Sequence, residues 1–213
     1  MAGFDLAGRL VGRCALSRVT CSSRQVEQLC AYVGLLTKWN RTVNLTALSL
    51  EPIGDEAIDR QVVEALVAAA MIDGRRGHLV DLGSGGGSPA IPIKIVRNSL
   101  HLTMVESKSR KSAFLREAVR KLELSGSVVI TARMEGLVDN QAMRRAAQVV
   151  SVRAVRLDES AWRVIDWLLA PDGTLLWFRS SAEPLSFPTF LIRAESRPTP
   201  DGGGEILRLV RTT

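Results

Sequence analysis

The sequence has few of the residues on which metal and thiol chemistry depends. It contains two histidines, and its three cysteines all lie within the first thirty residues without a C-x-x-C spacing. These residues cannot be assembled into a zinc site at the familiar ligand spacings. We therefore predict that Cys14, Cys21 and Cys30 are buried free thiols, and we expect no metal.

Long apolar runs are also missing. The longest one, Ala65–Ile72, is far too short to span a bilayer. Asp5, Arg9 and Arg13 interrupt the N-terminal segment, which predicts that it is not a signal peptide. The phosphate-binding pattern G-x-x-x-x-G-K-[ST] does not occur in the sequence. We expect a cytoplasmic protein with no membrane partner and no P-loop.

The bulk composition is that of an ordinary globular protein with a basic surface. Of the 213 residues, 46% are hydrophobic and 23% are charged, and the formal net charge is +6. A positive balance favours a polyanionic partner such as nucleic acid, although a merely basic surface is also common. Charge alone therefore does not decide the function.

A glycine-rich segment is the most informative feature that is present. The apolar run Leu79–Leu82 leads into Gly83, Gly85 and Gly87, and Ser88-Pro89 opens the next helix. This is the strand–loop–helix that begins a nucleotide-binding α/β domain. The dinucleotide pattern G-x-G-x-x-G fails, because its last position is Ser88.

An acidic residue follows this loop at an informative distance. Glu106 ends the next apolar run, about twenty residues beyond the loop, where such folds place an acid that holds ribose hydroxyls. The spacing from Asp81 through Gly83 and Gly85 to Gly87 is typical of S-adenosylmethionine-dependent methyltransferases. A solvated acid paired with a neighbouring cation is the simpler alternative for Glu106.

The rest of the chain alternates strands and helices. Strands are predicted at 78–82, 101–105, 127–132, 148–152, 173–178, 189–195 and 205–211, and helices at 90–97, 109–123, 139–146 and 158–169. This alternation predicts a Rossmann-like α/β fold with a seven-stranded, mainly parallel sheet. Pro184 and Pro188 precede a predicted terminal hairpin, which makes the last strand antiparallel.

The N-terminal part is predicted to be helical. Residues 22–39 carry apolar residues at helical spacing after a Ser22-x-x-Gln25 capping box, and a second helix follows Pro52. Asp73–Gly77 ends this helix. We predict an N-terminal helical extension at 1–75 that packs on a cofactor-binding domain at 76–213.

Several arginines follow predicted strands, where ligands bind in open α/β sheets. They are Arg133 with Met134 and Glu135, Arg153 and Arg156, and Arg179. Guanidinium groups bind phosphate or the O6 and N7 edge of guanine, although surface positions are equally common. Trp162, Trp167 and Trp177 fall on core-like positions and are predicted to pack in the core rather than to stack on bases.

With these residues in place, the chain resembles the bacterial 16S rRNA guanine-N7 methyltransferase family, RsmG or GidB. The resemblance runs from about residue 25 to the C-terminus. It depends on Trp39-Asn40 with Val43–Thr46, the loop from Asp81 with Ile91-Pro92, Glu106-Ser107, and the segments Arg133–Glu135 and Arg153–Val155. Generic methyltransferases lack the first of these motifs.

The resemblance implies a class I methyltransferase fold and S-adenosyl-L-methionine as cofactor. It implies cofactor contacts from Asp81, Gly83, Gly85, Gly87 and Ser88, ribose held by Glu106, and adenine near Met134 and Glu135. It also implies that Arg153 lies at the cofactor–substrate junction, where we predict a catalytic role. The predicted RNA contacts are Arg60, Arg133, Arg156 and Arg179. The expected partner is 16S rRNA or the small ribosomal subunit, and the protein is expected to be a monomer.

Three other functions remain open. The family pattern Arg-His-x-x-Asp-Ser is replaced by Arg60–Ala65, which motivates a methyltransferase-like RNA-binding protein without catalysis. A related methyltransferase with a different substrate is the second alternative. A nicotinamide-dependent dehydrogenase is the third, and Ser88 disfavours it.

Overall fold

The computed structural model describes residues 5–74, 76–182 and 184–212. One seven-stranded sheet in the order β3-β2-β1-β4-β5-β7-β6 forms its centre. The strands are β1 Gly77–Leu82, β2 Leu100–Glu106, β3 Ser127–Thr131, β4 Ala147–Arg153, β5 Leu169–Ser180, β6 Leu191–Pro198 and β7 Gly204–Arg211. The predicted boundary at residue 75 lies outside the described residues.

The sheet confirms the predicted topology. Strands β1 to β5 are parallel to one another, and β7 is antiparallel to both β5 and β6. Strand order reverses between β1 and β4, because β2 and β3 lie on one side of β1 and the later strands on the other. Ligands of open α/β sheets bind at such a reversal, beyond the carboxyl ends of the strands.

Helices cover the sheet close to the predicted bounds. They are α5 Ala90–Val96, α6 Ser109–Lys121 and α7 Glu159–Leu168. The predicted helix at 139–146 is wrong. The chain there forms short 3₁₀ turns, Met134–Asp139 and Gln141–Met143, because Asn140 caps the second turn with its own side chain on the backbone N–H of Ala142.

The N-terminal helices share one hydrophobic core with the sheet. They are α1 Leu6–Leu16, α2 Ser23–Asn40, α3 Asp55–Ile58 and α4 Glu64–Ala69, and a π-helical turn, Asp59–Val63, joins the last two. Helix α2 begins with the predicted capping box, whereas α1 was not predicted. Leu29 of α2, Leu66 of α4 and Leu79 of β1 belong to the same buried cluster.

The cysteines and the tryptophans of the C-terminal half were predicted to be buried, and the structure shows how far each of them is exposed. All three cysteines are free, as predicted, but only Cys14 is buried, since Cys21 and Cys30 are half-buried. Trp162, Trp167 and Trp177 pack, as expected, against a second hydrophobic cluster, which includes the buried Val150 of β4 and Leu168 of α7. Each of these tryptophans is half-buried. Of the helices in the described part of the chain, none has the length and apolar character that crossing a bilayer requires.

Candidate active site

The glycine loop between β1 and α5 turns back against the end of β2. The backbone N–H groups of Gly83 and Ser84 both donate to the carbonyl oxygen of Val105, at 2.9 and 3.0 Å. Gly83 has φ of +72°, and a Cβ there would lie 2.7 Å from Cγ2 of Val155. Only glycine fits this position without strain, and its missing side chain is what lets Val155 approach the loop.

Glu106, at the end of β2, ties the loop to the start of α6. Its side chain is nearly buried, and Oε2 accepts a hydrogen bond from the N–H of Gly85 at 2.9 Å. Oε1 accepts one from the N–H of Lys108 at 2.8 Å. The Ser107 hydroxyl is a second, more distant donor to Oε1, at 3.5 Å. Since a carboxylate oxygen has two lone pairs, Oε2 keeps acceptor capacity for a ligand.

A first cavity of about 300 Å³ opens beside this carboxylate. It brings together four of the predicted cofactor residues, Gly83, Glu106, Met134 and Glu135. Arg133 also lines this cavity, although it was predicted to contact RNA. The other three arginines predicted to contact RNA do not line it. The remaining lining residues are Val105, Ser107, Ala132 and Val155.

Asp81 is the next-to-last residue of β1, it does not line the cavity, and only 1% of it is exposed. Its Oδ1 accepts a 2.5 Å hydrogen bond from the Ser151 hydroxyl, and its Oδ2 has no hydrogen-bond partner among the described residues. Burial raises the pKa of Asp81 to about 6, although the Ser151 hydrogen bond opposes this shift. A buried carboxylate oxygen without a partner favours a cationic ligand group beside it.

The other predicted loop residues shape the turn and do not line the cavity. The N–H of Gly87 donates to the carbonyl of Ser84 at 2.7 Å, and Gly87 has φ of +84°. The Ser88 hydroxyl lies 3.5 Å from the carbonyl oxygen of Arg60. Ser88 therefore joins the loop to the π-helical turn of the N-terminal helices.

A second cavity, which we call the cleft, lies on the other side of Val155 and has a volume of about 690 Å³. Val155 lines both cavities, so the two are neighbours. Three predicted RNA residues meet in the cleft, namely Arg60, Arg156 and Arg179. It is also lined by Ala154, Leu157, Trp162, Trp177, Phe178, Ser180, Pro184 and Ser186.

The arginines of the cleft differ in how far they reach solvent. Arg156 is exposed, and the side chain of Arg60 is 40% exposed. Only 2% of the Arg179 side chain is exposed, and its guanidinium forms an ion pair with Glu205. Arg179 therefore supports the wall of the cleft, and a direct contact of this side chain with RNA is not favoured.

The carboxylate that pairs with Arg60 and Arg153 was not predicted from the sequence. Glu64 is 1% exposed, and its Oε2 lies 3.3 Å from Nη1 of Arg60 and 3.6 Å from Nη1 of Arg153. Burial raises the pKa of Glu64, and the two guanidinium groups oppose this rise. An acidic residue inside the apolar run from Val62 to Ala70 was the available signal.

Arg153, at the end of β4, lines neither of the two cavities. Its side chain is 11% exposed, and besides its ion pair with Glu64 it donates a hydrogen bond to the carbonyl of Arg60. Burial lowers its pKa, and Glu64 opposes this shift. The next residue, Ala154, has φ of +55°, a conformation that costs a non-glycine residue energy and turns the chain sharply into Val155.

Tyr32 and Asn40 of the N-terminal segment form hydrogen bonds at the glycine loop and at the turn that follows α2. These hydrogen bonds were not predicted from the sequence. Tyr32 is completely buried, and its hydroxyl donates to the carbonyl oxygen of Gly86 at 2.7 Å. The side chain of Asn40 accepts from the N–H groups of Leu45 and Thr46, at 2.9 and 3.0 Å. The motif from Trp39 to Thr46 therefore serves to dock the helices on the loop.

The histidine, cysteine and acidic side chains within the described residues form no group of three or more that could hold a metal ion. The cavities instead present backbone groups, carboxylates and guanidinium groups. This donor set fits an organic ligand with hydroxyl and cationic groups beside an anionic one.

The family model described as rRNA small subunit methyltransferase G matches residues 25–185. The chain belongs to this family. It is 40% identical over 152 residues to ribosomal RNA small subunit methyltransferase G of Paracoccus denitrificans, a match that covers 71% of this chain and 75% of the relative. The enzymes of the same name from Roseiflexus castenholzii and Xanthomonas axonopodis are 39% and 38% identical. Those matches cover 62% and 70% of this chain, but only 55% and 66% of the relatives' own length.

Solved structures with low sequence identity share the fold. A mutant of MtNAS in complex with S-adenosylmethionine has a TM-score of 0.60 at 18% identity, covering 89% of this chain and 72% of that one. A SAM-dependent methyltransferase from Aquifex aeolicus has a TM-score of 0.51 at 10% identity, covering 65% and 85%. These likenesses establish the predicted Rossmann-like class I methyltransferase fold.

Proposed function

We propose that the chain is an S-adenosylmethionine-dependent methyltransferase that methylates N7 of a guanine in 16S rRNA of the small ribosomal subunit. The observation that carries this proposal is the pair of cavities that meet at Val155. One contains a buried acid at the end of β2, and the other is lined by arginines. Family membership and the family's name support the same activity.

The first cavity suits the adenosyl part of the cofactor. Oε2 of Glu106 can accept a hydrogen bond from a ribose hydroxyl, and Met134 and Glu135, which line the same cavity, would hold the adenine ring. The free oxygen of Asp81 suits the ammonium group of the methionine part. When bound, S-adenosylmethionine supplies a methyl group on a positively charged sulfur.

Methylation of guanine N7 requires the protein mainly to position the base against the cofactor. N7 has a free lone pair in the neutral base, so the nucleophile needs no general base to remove a proton. Positioning of two reactants can supply most of the rate acceleration under these conditions. The guanidinium groups of Arg60 and Arg156 can bind phosphate or guanine O6.

Arg153 was predicted to be catalytic, and we propose that it is a positioning residue. Its guanidinium fixes the turn that carries Val155 by binding Glu64 and the carbonyl of Arg60. Arg153→Lys keeps the charge but loses the planar fork. We expect kcat to fall several-fold while KM for S-adenosylmethionine stays unchanged. An unchanged kcat would contradict this role.

The direct test of the function is transfer of tritiated methyl from S-adenosylmethionine to small-subunit particles isolated from a strain that lacks the modification. Nucleoside analysis should find the label in 7-methylguanosine, and naked 16S rRNA tests whether the assembled particle is required. Label in another nucleoside would contradict the N7 assignment. Cofactor binding without incorporation would favour the RNA-binding protein without catalysis.

The matched variant for this assay is Glu106→Gln, which keeps the shape but removes the charge that the ribose hydroxyls bind. We expect its affinity for S-adenosylmethionine to fall about tenfold, since hydrogen bonds to charged groups contribute about 1.5–3 kcal/mol. The predicted monomeric state and cytoplasmic location stay predictions, and light scattering on the purified protein tests the first of them.

A further inference from the structure

Two tryptophans form an aromatic corner in the wall of the cleft. Trp162 lies on α7 and Trp177 on β5, with ring centroids 5.7 Å apart and planes at 86°. Both side chains are half-buried and pack against the second hydrophobic cluster. The edge-to-face arrangement is a favourable one for aromatic rings, so the corner is held in place before any ligand binds.

Exposure in the cleft distinguishes this pair from the third tryptophan of the region. Trp167 lies on the same helix as Trp162 and is also half-buried, but it does not line the cleft. The guanidinium of Arg144 covers its ring at 4.9 Å from the centroid. Packing against the hydrophobic cluster and Arg144 therefore explains the position of Trp167, whereas Trp162 and Trp177 also line a cavity.

The charge around the corner is positive. Arg156 is exposed at the cleft and supplies the charge that a phosphate can reach, whereas Arg179, 5.5 Å from the ring centroid of Trp177, is buried and paired with Glu205. None of the cleft-lining residues in the described ranges is acidic. Aromatic rings beside guanidinium groups are the usual means of binding an unpaired nucleotide, because the base stacks on the ring and the phosphate pairs with the cation.

The size of the cleft matches more than one nucleotide. At about 690 Å³ it has more than twice the volume of the first cavity, about 300 Å³, which we assign to one adenosyl group. Val155, Trp162 and Trp177 line the same cleft, so a guanine beside Val155 and a second base against the tryptophans would share one cavity.

We propose that Trp162 and Trp177 form a stacking platform for the unpaired nucleotide next to the methylated guanine. This inference rests on the proposed function, since it takes the cleft as the RNA site. The platform makes the cleft select single-stranded RNA, because bases in a duplex have no free face to stack on the rings.

The test compares two substitutions of one tryptophan with a matched control. Trp177→Leu removes the ring, Trp177→Phe keeps an aromatic face, and Trp167→Leu makes the same change away from the cleft. We expect Trp177→Leu to raise KM for small-subunit particles about tenfold, within the range for losing one base–aromatic stack. KM for S-adenosylmethionine should stay unchanged, and Trp177→Phe should restore most of the RNA affinity.

Two outcomes would overturn the platform. One is a KM for particles in Trp177→Leu no higher than in Trp167→Leu, and the other is an equal loss in the leucine and phenylalanine variants. If the wild-type protein binds S-adenosylmethionine but methylates no particle, the proposed function fails instead, and the platform is then judged by fluorescence.

The fluorescence measurement leaves the corner intact and so does not depend on the folding of the Trp177 variants. In a chain with Trp39→Phe and Trp167→Phe, Trp162 and Trp177 are the tryptophans that remain. An unstructured RNA decamer with a central guanine should quench their emission, and the same decamer in a duplex should not. Equal quenching by both RNAs, or none by the single strand, would contradict the platform.

Discussion

The first cavity and the cleft are neighbours, but the chain builds them differently. Backbone groups of the glycine loop, tied to Glu106, shape the first cavity, and the segments that form it follow β1, β2 and β3 in order. Side chains from distant parts of the chain shape the cleft, since Arg60 precedes α4 and Arg179 lies on β5, and the buried Glu64 of α4 pairs with Arg60. The shape of the first cavity therefore depends on local backbone geometry, whereas the shape of the cleft depends on buried ion pairs.

This difference predicts that substitutions in the two regions destabilise the protein for different physical reasons. A strained loop costs energy because one backbone position is forced into an unfavourable conformation. A buried ion pair that loses one partner costs more, because the remaining charge is left without compensation in a site that excludes water. Substitutions on either side of Val155 can therefore separate the two regions.

The largest effect is expected for Glu64→Gln, which leaves the mostly buried Arg153 without its carboxylate. We expect the free energy of unfolding to fall by about 3 kcal/mol, which urea denaturation measures. Glu117→Gln is the control, because Glu117 pairs with an exposed Arg120 on the surface of α6. That change should cost less than about 1 kcal/mol. Equal losses in the two variants would contradict the role of Glu64.

The next effect is expected for Gly83→Ala in the glycine loop. The φ of +72° and the approach of Val155 to 2.7 Å from the new Cβ make us expect a loss of about 2 kcal/mol in unfolding free energy. Calorimetry should also show weaker binding of S-adenosylmethionine. Gly136→Ala is the control, because a Cβ there meets nothing within 4 Å. A stable Gly83→Ala protein with normal binding would show that the loop tolerates a side chain.

The effect that is smallest at neutral pH concerns the pH dependence of Asp81. Its folded pKa of about 6 lies above the ordinary value of 3.8, so the folded state binds more protons between these values. The free energy of unfolding should therefore fall as pH rises from about 4 to 6. Affinity for S-adenosylmethionine should rise over the same range, by about tenfold per pH unit at most, because its ammonium group prefers the ionised carboxylate.

Asp81→Asn provides the comparison for both measurements. It should flatten the stability profile between pH 4 and 6 and remove the rise in affinity. Calorimetric titrations at several pH values measure the second effect directly. An affinity that rises equally in the wild type and in Asp81→Asn would assign the titration to another group.

The sequence predicted the sheet, and four of the nine residues predicted to contact the cofactor line the first cavity, because local patterns encode the strands and the loops that follow them. Gly83 and Glu106 belong to adjacent strand–loop units, and the carboxyl ends of parallel strands meet at one edge of the sheet. The antiparallel last strand followed from the hairpin that Pro184 and Pro188 precede. The helix at 139–146 was wrong because Asn140 forms a local cap that periodicity does not reveal.

The cleft could be predicted only in part. Its arginines follow strands and were recognised, but Glu64 was missed because its partner Arg153 is distant along the chain. The buried pairing of Arg179 with Glu205 depends on β7 lying next to β5, which no local pattern encodes. Helix α1 was missed although Leu6, Leu10 and Cys14 recur four residues apart, a spacing typical of a helix.

The most direct test of the central claim is a crystal structure of the complex with S-adenosylhomocysteine, the product of the donor. The account predicts the ribose hydroxyls on Glu106, the adenine beside Met134, and the sulfur directed towards Val155 and the cleft. A nucleoside bound instead against Trp177 in the cleft, with the first cavity empty, would contradict it.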